Sequence, residues 1–306
     1  MIRDLRLLDL PRLLMPGSLG GEDLAYTRGE MDGGGHRVTP LEMARWSIAS
    51  SKTQQPLAAL RDARLAALAV LRARCGPRSW EVAHLFANDR MKEEVPELLE
   101  RCVEHVGLCG GERLFIRVDY RSPLQEVARL AGFFPAFTEE VFSLRRSLRA
   151  DDGAPSLDIR PPLPADTHGL FRLYNLALPT TVRAVSGLTL DQWQDSREAL
   201  PSAGREYVWV HEDQVRGWLR LDHKGDALMI EALLHPDEGV MAPSIVEYAA
   251  HLARGHEKPS WIVPSYQQAL SAALQYRGWT LQRTYSVLIR SVARSVPERA
   301  FMPAQA

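Results

Sequence analysis

The sequence is poor in cysteine, carries no excess of either charge and contains no long apolar run. Its 306 residues include three cysteines, Cys75, Cys102 and Cys109. No two are spaced as CxxC and their number is odd, which argues against a disulfide framework or a zinc site. Reduced thiols of this kind fit a cytoplasmic protein. The 37 basic and 38 acidic residues leave a formal net charge of -1 and are spread along the chain. Nothing in that balance calls for nucleic acid or an acidic membrane as a partner. The N-terminal stretch "MIRDLRLLDLPRLL" carries Asp4 and Asp9 inside its apolar pattern, unlike the apolar core of a signal peptide. No run approaches the roughly 18 apolar residues of a membrane span. No GxGxxG follows a candidate strand, which excludes the dinucleotide-binding fold. His251 and His256 do not share a helical face, so no metal site is expected. Glycine is scarce where it would be most telling. In "IEALLHPDEGVMAPSIVEYAAHLA", from Ile230, an apolar run, a loop and an amphipathic helix follow one another, with Gly239 alone in the loop.

What is present is a globular composition, 45% hydrophobic and 25% charged, enough for one large or two ordinary domains. The stretch "RADDGAPSLDIRPPLPAD" (Arg149 to Asp166) combines acids, glycine and proline and breaks regular structure. It suggests two domains, 1–150 and 151–306. The halves also repeat. With Gly132-Phe133 aligned to Gly278-Trp279, Phe115 meets Trp261, Ile116 meets Ile262, Tyr120 meets Tyr266, Leu124 meets Leu270 and Val141 meets Val287 without a gap. One step earlier, "VPELLERCVEHVG" matches "APSIVEYAAHLARG". Each half reads as a short strand and one or two helices, then strands joined as hairpins ("LAALAVLRAR" with "SWEVAHLFA"; "YVWVHEDQVRGWLRLDH" with "DALMIEALL"). A helix from Pro96 or Pro243 follows, then a buried strand, a second helix ending near glycine and a final strand. The order β-α-α-β-β-β-α-β-α-β indicates an α/β protein of the α+β type, with a mixed, largely antiparallel sheet flanked by helices in each half.

This order, with "IEALLHPDEG" and the strand–helix–"GF/GW" ending, resembles the GCN5-related N-acetyltransferase (GNAT) family in tandem form. The resemblance implies acetyl-CoA as co-substrate, lying where the fourth strand splays from the fifth. Its pyrophosphate would be held by backbone amides at the N-terminus of the following helix, where unpaired N–H groups and the positive helix end attract an anion. The cofactor-binding residues implied are Leu233 and Leu234 on the strand and Gly239, Val240, Met241, Ala242 and Ser244 in the loop. The family's arginine is replaced by Gly239 and its glycine by Ala242, while Pro243 lacks an N–H. In the first half, Lys92-Glu93-Glu94-Val95-Pro96-Glu97 stands in that place. Its bulk and carboxylates would repel an anion, so this half is expected to be structural.

Acyl transfer to an amine needs a base, a polarised carbonyl and a proton for the leaving thiolate. The resemblance places the base at Glu231, whose apolar neighbours would raise its pKa. The family's tyrosine acid falls on Leu274, leaving Tyr276 or Tyr266 as substitutes. The region Leu170 to Trp193 would line the acceptor pocket. It is poor in acids, which argues against a polycationic acceptor. The expected activity is an acyl-CoA-dependent N-acyltransferase acting on a small-molecule or peptide amine in the second half. The alternative is a catalytically inactive protein of the same fold that senses CoA or serves as an interaction scaffold.

Overall fold

The structure is a computed structural model that describes residues 1–13, 19, 22–31, 39–48, 51, 53–62, 64–88, 91–144, 157–201, 203–224, 227–256 and 258–292. The expected boundary at 150/151, most of the stretch from Met31 to Pro40 and Gly225, expected to join two strands, lie outside them. No helix among the described residues is long and apolar enough to cross a membrane.

The first half runs β1 (Ile2–Asp4), α1 (Leu10–Leu13), α2 (Pro40–Ile48), β2 (Gln54–Arg61), β3 (Arg64–Ala73), β4 (Ser79–Ala87), α3 (Met91–Leu108), β5 (Arg113–Asp119), α4 (Leu124–Leu130) and β6 (Phe134–Ser143). The second runs β7 (Ile159–Arg160), α5 (Thr167–Ala177), α6 (Thr180–Ser186), α7 (Leu190–Ser196), β8 (Arg205–His211), β9 (Gln214–Lys224), β10 (Ala227–Leu234), α8 (Ala242–Leu252), β11 (Lys258–Pro264), α9 (Gln268–Tyr276) and β12 (Thr280–Ser291). The first half follows the element order read from the sequence; the second departs from it by one helix, with three (α5, α6 and α7) between its first strand and β8. β3, "RLAALAVLRA", is buried on both faces along most of its length. Ala67, Ala69 and Leu71 join the core under α3 on one side, and Leu65 and Leu68 the layer containing Met43 of α2 on the other. Gly132 and Gly278 end α4 and α9 at φ +75° and +82°, a left-handed conformation that glycine adopts without strain.

One element starts early. Pro96 was expected to open α3, but the helix begins at Met91 and Pro96 lies inside it. Lys92, Glu93 and Glu94 are good helix formers, and acids in a first turn favour the positive helix end. The residues that would have formed an anion loop are therefore wound into helix.

The strands of the described residues join one 12-stranded sheet in the order β1-β2-β3-β4-β5-β12-β6-β11-β10-β9-β8-β7. The halves exchange their last strands. β12 pairs antiparallel with β5 of the first half, and β6 pairs antiparallel with β11 of the second. β6 and β12 pair with each other at the centre, from Ser143–Thr280 to Phe134–Ile289. The two cores, one under α3 and α4 and one under α8 and α9, are thus joined through continuous backbone hydrogen bonding.

Candidate functional site

β10 and β11 run parallel and pair from Ala227–Lys258 to Glu231–Ile262. Beyond that point β10 continues beside β9 only, through Ala232, Leu233 and Leu234. The strands therefore open a wedge at Glu231. At its mouth the Gln267 carboxamide accepts from the Leu234 N–H at 3.0 Å and donates to the Leu234 C=O at 3.2 Å, pairing with the strand as a peptide group would.

The first half opens in the same way, with β4 and β5 pairing only from Ser79–Arg113 to Glu81–Phe115. Here the chain itself fills the wedge. Leu24 N–H donates to Leu85 C=O on β4 at 2.8 Å, and Tyr26 N–H donates to Arg117 C=O on β5 at 2.9 Å. Asp23 Oδ1 accepts from the N–H groups of Leu85, at 2.8 Å, and Ala25, at 3.1 Å. Asp23 Oδ2 also lies 2.7 Å from His84 Nδ1. With Glu30, these two residues bring potential metal-donor atoms within 4.8 Å of one another. Asp23 is already committed to two backbone donors and a ring nitrogen.

The loops after the two wedges differ. In the first half Arg61 bonds both Glu93 and Glu94, the latter at 2.8 Å, so a cation caps an acidic helix start. In the second half a 3-10 turn spans Pro236–Met241, with His235 Nδ1 accepting from Asp237 N–H at 3.2 Å. Ala242 N–H turns back onto Gly239 C=O, Pro243 has no N–H, and Ser244 supplies both an N–H and a hydroxyl. Ala242 is buried, whereas Val240 is 82% exposed. A Cβ added at Gly239 would meet only Ala269 Cβ, at 3.4 Å. Space is therefore open at the turn. Arg216 on β9 reaches the same turn, its Nε 3.9 Å from Glu238 Oε1.

The wedge leads into a cavity of about 160 Å³. One wall is apolar: Leu170, Leu173 and Tyr174 of α5, Trp193 of α7, Trp218 of β9 and Leu233 of β10. Phe137 and Tyr266 also line it and meet edge to face at 5.6 Å. The other wall is charged. Arg28 bonds Glu231 and approaches Glu198 at 3.4 Å. Arg117 bonds Glu139 at 2.6 Å and Glu198 at 2.7 Å. Arg220 bonds Asp222 at 2.8 Å and donates to the carbonyls of Glu198 and Ala199. Arg74 bonds Glu81 at 3.2 Å and lies over the Phe115 ring at 3.8 Å.

Burial acts on Glu231, Glu198 and Tyr266 alike, with different outcomes. It raises the Glu231 carboxyl above the usual range, and Arg28 and Arg220 counter it only in part. Burial also opposes the charge of Glu198, but Arg117, Arg28 and Arg74 outweigh it and hold that carboxyl well below the usual range. Tyr266 is pushed well above an ordinary phenol by burial and then by the nearby Glu231 and Glu139, so it stays protonated.

Two solved structures share this architecture. A GCN5-related N-acetyltransferase from Sphaerobacter thermophilus aligns at TM-score 0.56 and 12% identity, over 97% of this chain and 96% of that one. A tandem GNAT protein from the clavulanic acid biosynthesis pathway, solved without AcCoA, aligns at TM-score 0.50 and 13% identity, over 97% and 99%. This chain has the tandem GNAT fold. No family model and no curated protein matches the sequence.

Within the tandem GNAT fold, the residues singled out in the sequence separate into groups. Glu231, Leu233 and Tyr266 meet in the cavity, with Leu234 beside it under Gln267. Gly239, Val240, Met241, Ala242 and Ser244 form the turn and helix start at the wedge mouth. Tyr276 does not join them: it is 89% exposed at the end of α9, outside the cavity. Leu274, where the family's tyrosine would fall, is fully buried in the second core. The Leu170 to Trp193 region does line the cavity, but its scarcity of acids does not describe the pocket. Glu139, Glu198 and Glu231 enter from β6, the segment after α7 and β10. Nor is the cavity built by the second half alone, since Arg28, Arg74, Phe115, Arg117, Phe137 and Glu139 precede residue 150. Arg28 and Glu198 were missed because they sit in irregular segments without periodicity. Arg117 in "FIRVD" and Arg220 in "WLRLD" left a usable signal, a cation inside an apolar strand.

Proposed function

We propose that the protein is an acyl-CoA-dependent N-acyltransferase, with acetyl-CoA as the donor and its active site at the β10–β11 wedge. The observation that carries this is the position of Glu231. It stands where the two strands part, lines the cavity opposite its apolar wall and is pushed above the usual carboxylate range by burial. A thioester donor supplies the activated acyl group beside Ala232 and Leu233. Glu231, ionised, takes a proton from the acceptor amine in the cavity. The nitrogen lone pair attacks the thioester carbon, the C–N bond forms, the C–S bond breaks, Tyr266 gives its proton to the thiolate, and the second proton shed by the nitrogen restores the phenol. The open space at Gly239, the Ser244 donors, the α8 N-terminus and Arg216 fit the donor's diphosphate; Arg216 supplies from β9 the cation missing at Gly239. In the first half, Leu24 to Tyr26 occupy the corresponding wedge, and Glu93 and Glu94 the helix start, which supports a structural role for residues 1–150 and a catalytic one for residues 151–306.

A second reading, an inactive CoA sensor or interaction scaffold, is favoured by the Gln267 bridge over Leu234 and the Glu231–Arg28 pair. Thermal unfolding with acetyl-CoA separates the two. At 100 times the dissociation constant the donor adds about 2.7 kcal/mol, or roughly 4 °C in Tm for a chain of this size. A shift accompanied by amine-dependent thiol release supports the enzyme. A shift without turnover supports the sensor, and no shift at millimolar acetyl-CoA leaves the scaffold.

A further inference from the structure

We infer that the acceptor is a monoamine carrying one ring-sized apolar group, with neither a carboxylate nor a second ammonium; this rests on the acyltransferase reading above. The cavity holds about 160 Å³, and an apolar cavity of about 150 Å³ accommodates benzene. Its apolar wall is aromatic and aliphatic, with Phe137, Leu170, Leu173, Trp193, Trp218 and Tyr266 facing one space. Such a wall gains from contact with a flat ring and offers a polar chain little.

The charged wall excludes the alternatives. Each of the five lining arginines already has a built partner: Arg28 with Glu231 and Glu198, Arg74 with Glu81, Arg117 with Glu139 and Glu198, Arg220 with Asp222, and Arg197 with Glu206. An acceptor carboxylate would have to displace one of these and leave a buried acid uncompensated. A second ammonium would find Glu198 held by Arg117, Arg28 and Arg74 and Glu139 by a two-point contact with Arg117, whereas Glu231 meets Arg28 through one contact. Of the three cavity carboxylates, Glu231 keeps the most exposure, 16% of its side chain against 8% for Glu198 and 3% for Glu139. One amine can therefore reach one carboxylate, with its ring on the opposite wall.

The test uses the full chain with acetyl-CoA and three probes: phenethylamine, spermidine and phenylalanine. Thiol release should show kcat/KM for phenethylamine at least tenfold above either of the others. Leu173→Trp, which fills the cavity, should raise KM for phenethylamine tenfold or more without changing acetyl-CoA affinity. Leu170→Ala should shift preference toward the larger tryptamine. A preference for spermidine or phenylalanine would overturn the inference while leaving the acyltransferase reading intact, as would indifference of phenethylamine turnover to both variants. Phenethylamine binding is also read without donor, by quenching of Trp193 and Trp218 fluorescence in wild type and its reduction in Leu173→Trp. If acetyl-CoA does not bind, the acyltransferase reading fails. The cavity's ligand class then stands or falls on that fluorescence titration, and an absence of saturable quenching overturns it.

Discussion

Replacing Arg28 by methionine tests the charge balance at the site. Arg28 is 12% exposed in its side chain and touches Glu231 and Glu198. Removing one partner of a buried pair costs about 3–5 kcal/mol, because the remaining charge is left buried and uncompensated. Glu198 retains Arg117 and Arg74, so the loss falls mainly on Glu231 and sits near the lower figure. About 3 kcal/mol corresponds to a fall in Tm of roughly 5 °C for a chain of this size. Adding Glu231→Gln removes the stranded carboxylate and should recover much of that loss, a coupling visible in a double-mutant cycle. The pH dependence has a definite sign. Arg28 favours the ionised carboxylate, so Arg28→Met drives the Glu231 pKa further up. A carboxyl raised in the folded state costs stability as pH climbs from its unfolded value through its folded one. The excess destabilisation of Arg28→Met over the double variant should therefore grow as pH rises through that window. The acid limb of any activity profile should move to higher pH. Equal melting temperatures for the single and double variants at neutral pH would refute the assignment of Arg28 as the counter-charge of Glu231.

Three other outcomes are expected. Glu231→Gln should lower kcat by about 10²–10⁴ without changing the acetyl-CoA dissociation constant measured by calorimetry, and Tyr266→Phe should reduce kcat where Tyr276→Phe does not. Ser244→Glu, which places a carboxylate beside the helix start, should abolish acetyl-CoA binding in a thermal-shift titration, whereas Glu97→Ser should leave it intact; equal losses would mean the halves have been assigned the wrong way round. Gln267→Leu strands the Leu234 N–H and C=O at about 1–3 kcal/mol per group, read by urea denaturation; a loss under ~1 kcal/mol would show that the bridge does not seal the wedge.

The order of elements was legible in the sequence because each depends on local rules. β-branched, leucine and alanine runs bounded by turn residues gave the strands, and Gly132 and Gly278 marked where α4 and α9 stop. The repeat exposed the equivalence of the halves. Glu231 stood out as a carboxylate inside an apolar strand, and Glu93 and Glu94 showed that the first loop could not welcome an anion. Local rules also set limits. Lys92 to Glu94 are helix formers, so the start of α3 could not be separated from the loop it replaced. Tyr276 and Tyr266 lie close in sequence, yet one is exposed and the other lines the cavity.

The sequence by itself determined two repeats of mixed strands with flanking helices, one small-residue loop against one acidic loop, and a single well-placed carboxylate; that the strands of both repeats fuse into one sheet was not in it. Only the tertiary structure decided that the last strands are exchanged, so that β5 and β6 carry Arg117, Phe137 and Glu139 into a cavity beside β10. It also decided that residues 23–26 close one wedge and that the chain then delivers Arg28 to Glu231 at the other. Strand exchange and the pairing of distant charges depend on which surfaces meet. Residues 28, 117, 139, 198 and 231 share no local pattern, and it is their common burial in a low-dielectric space that couples them.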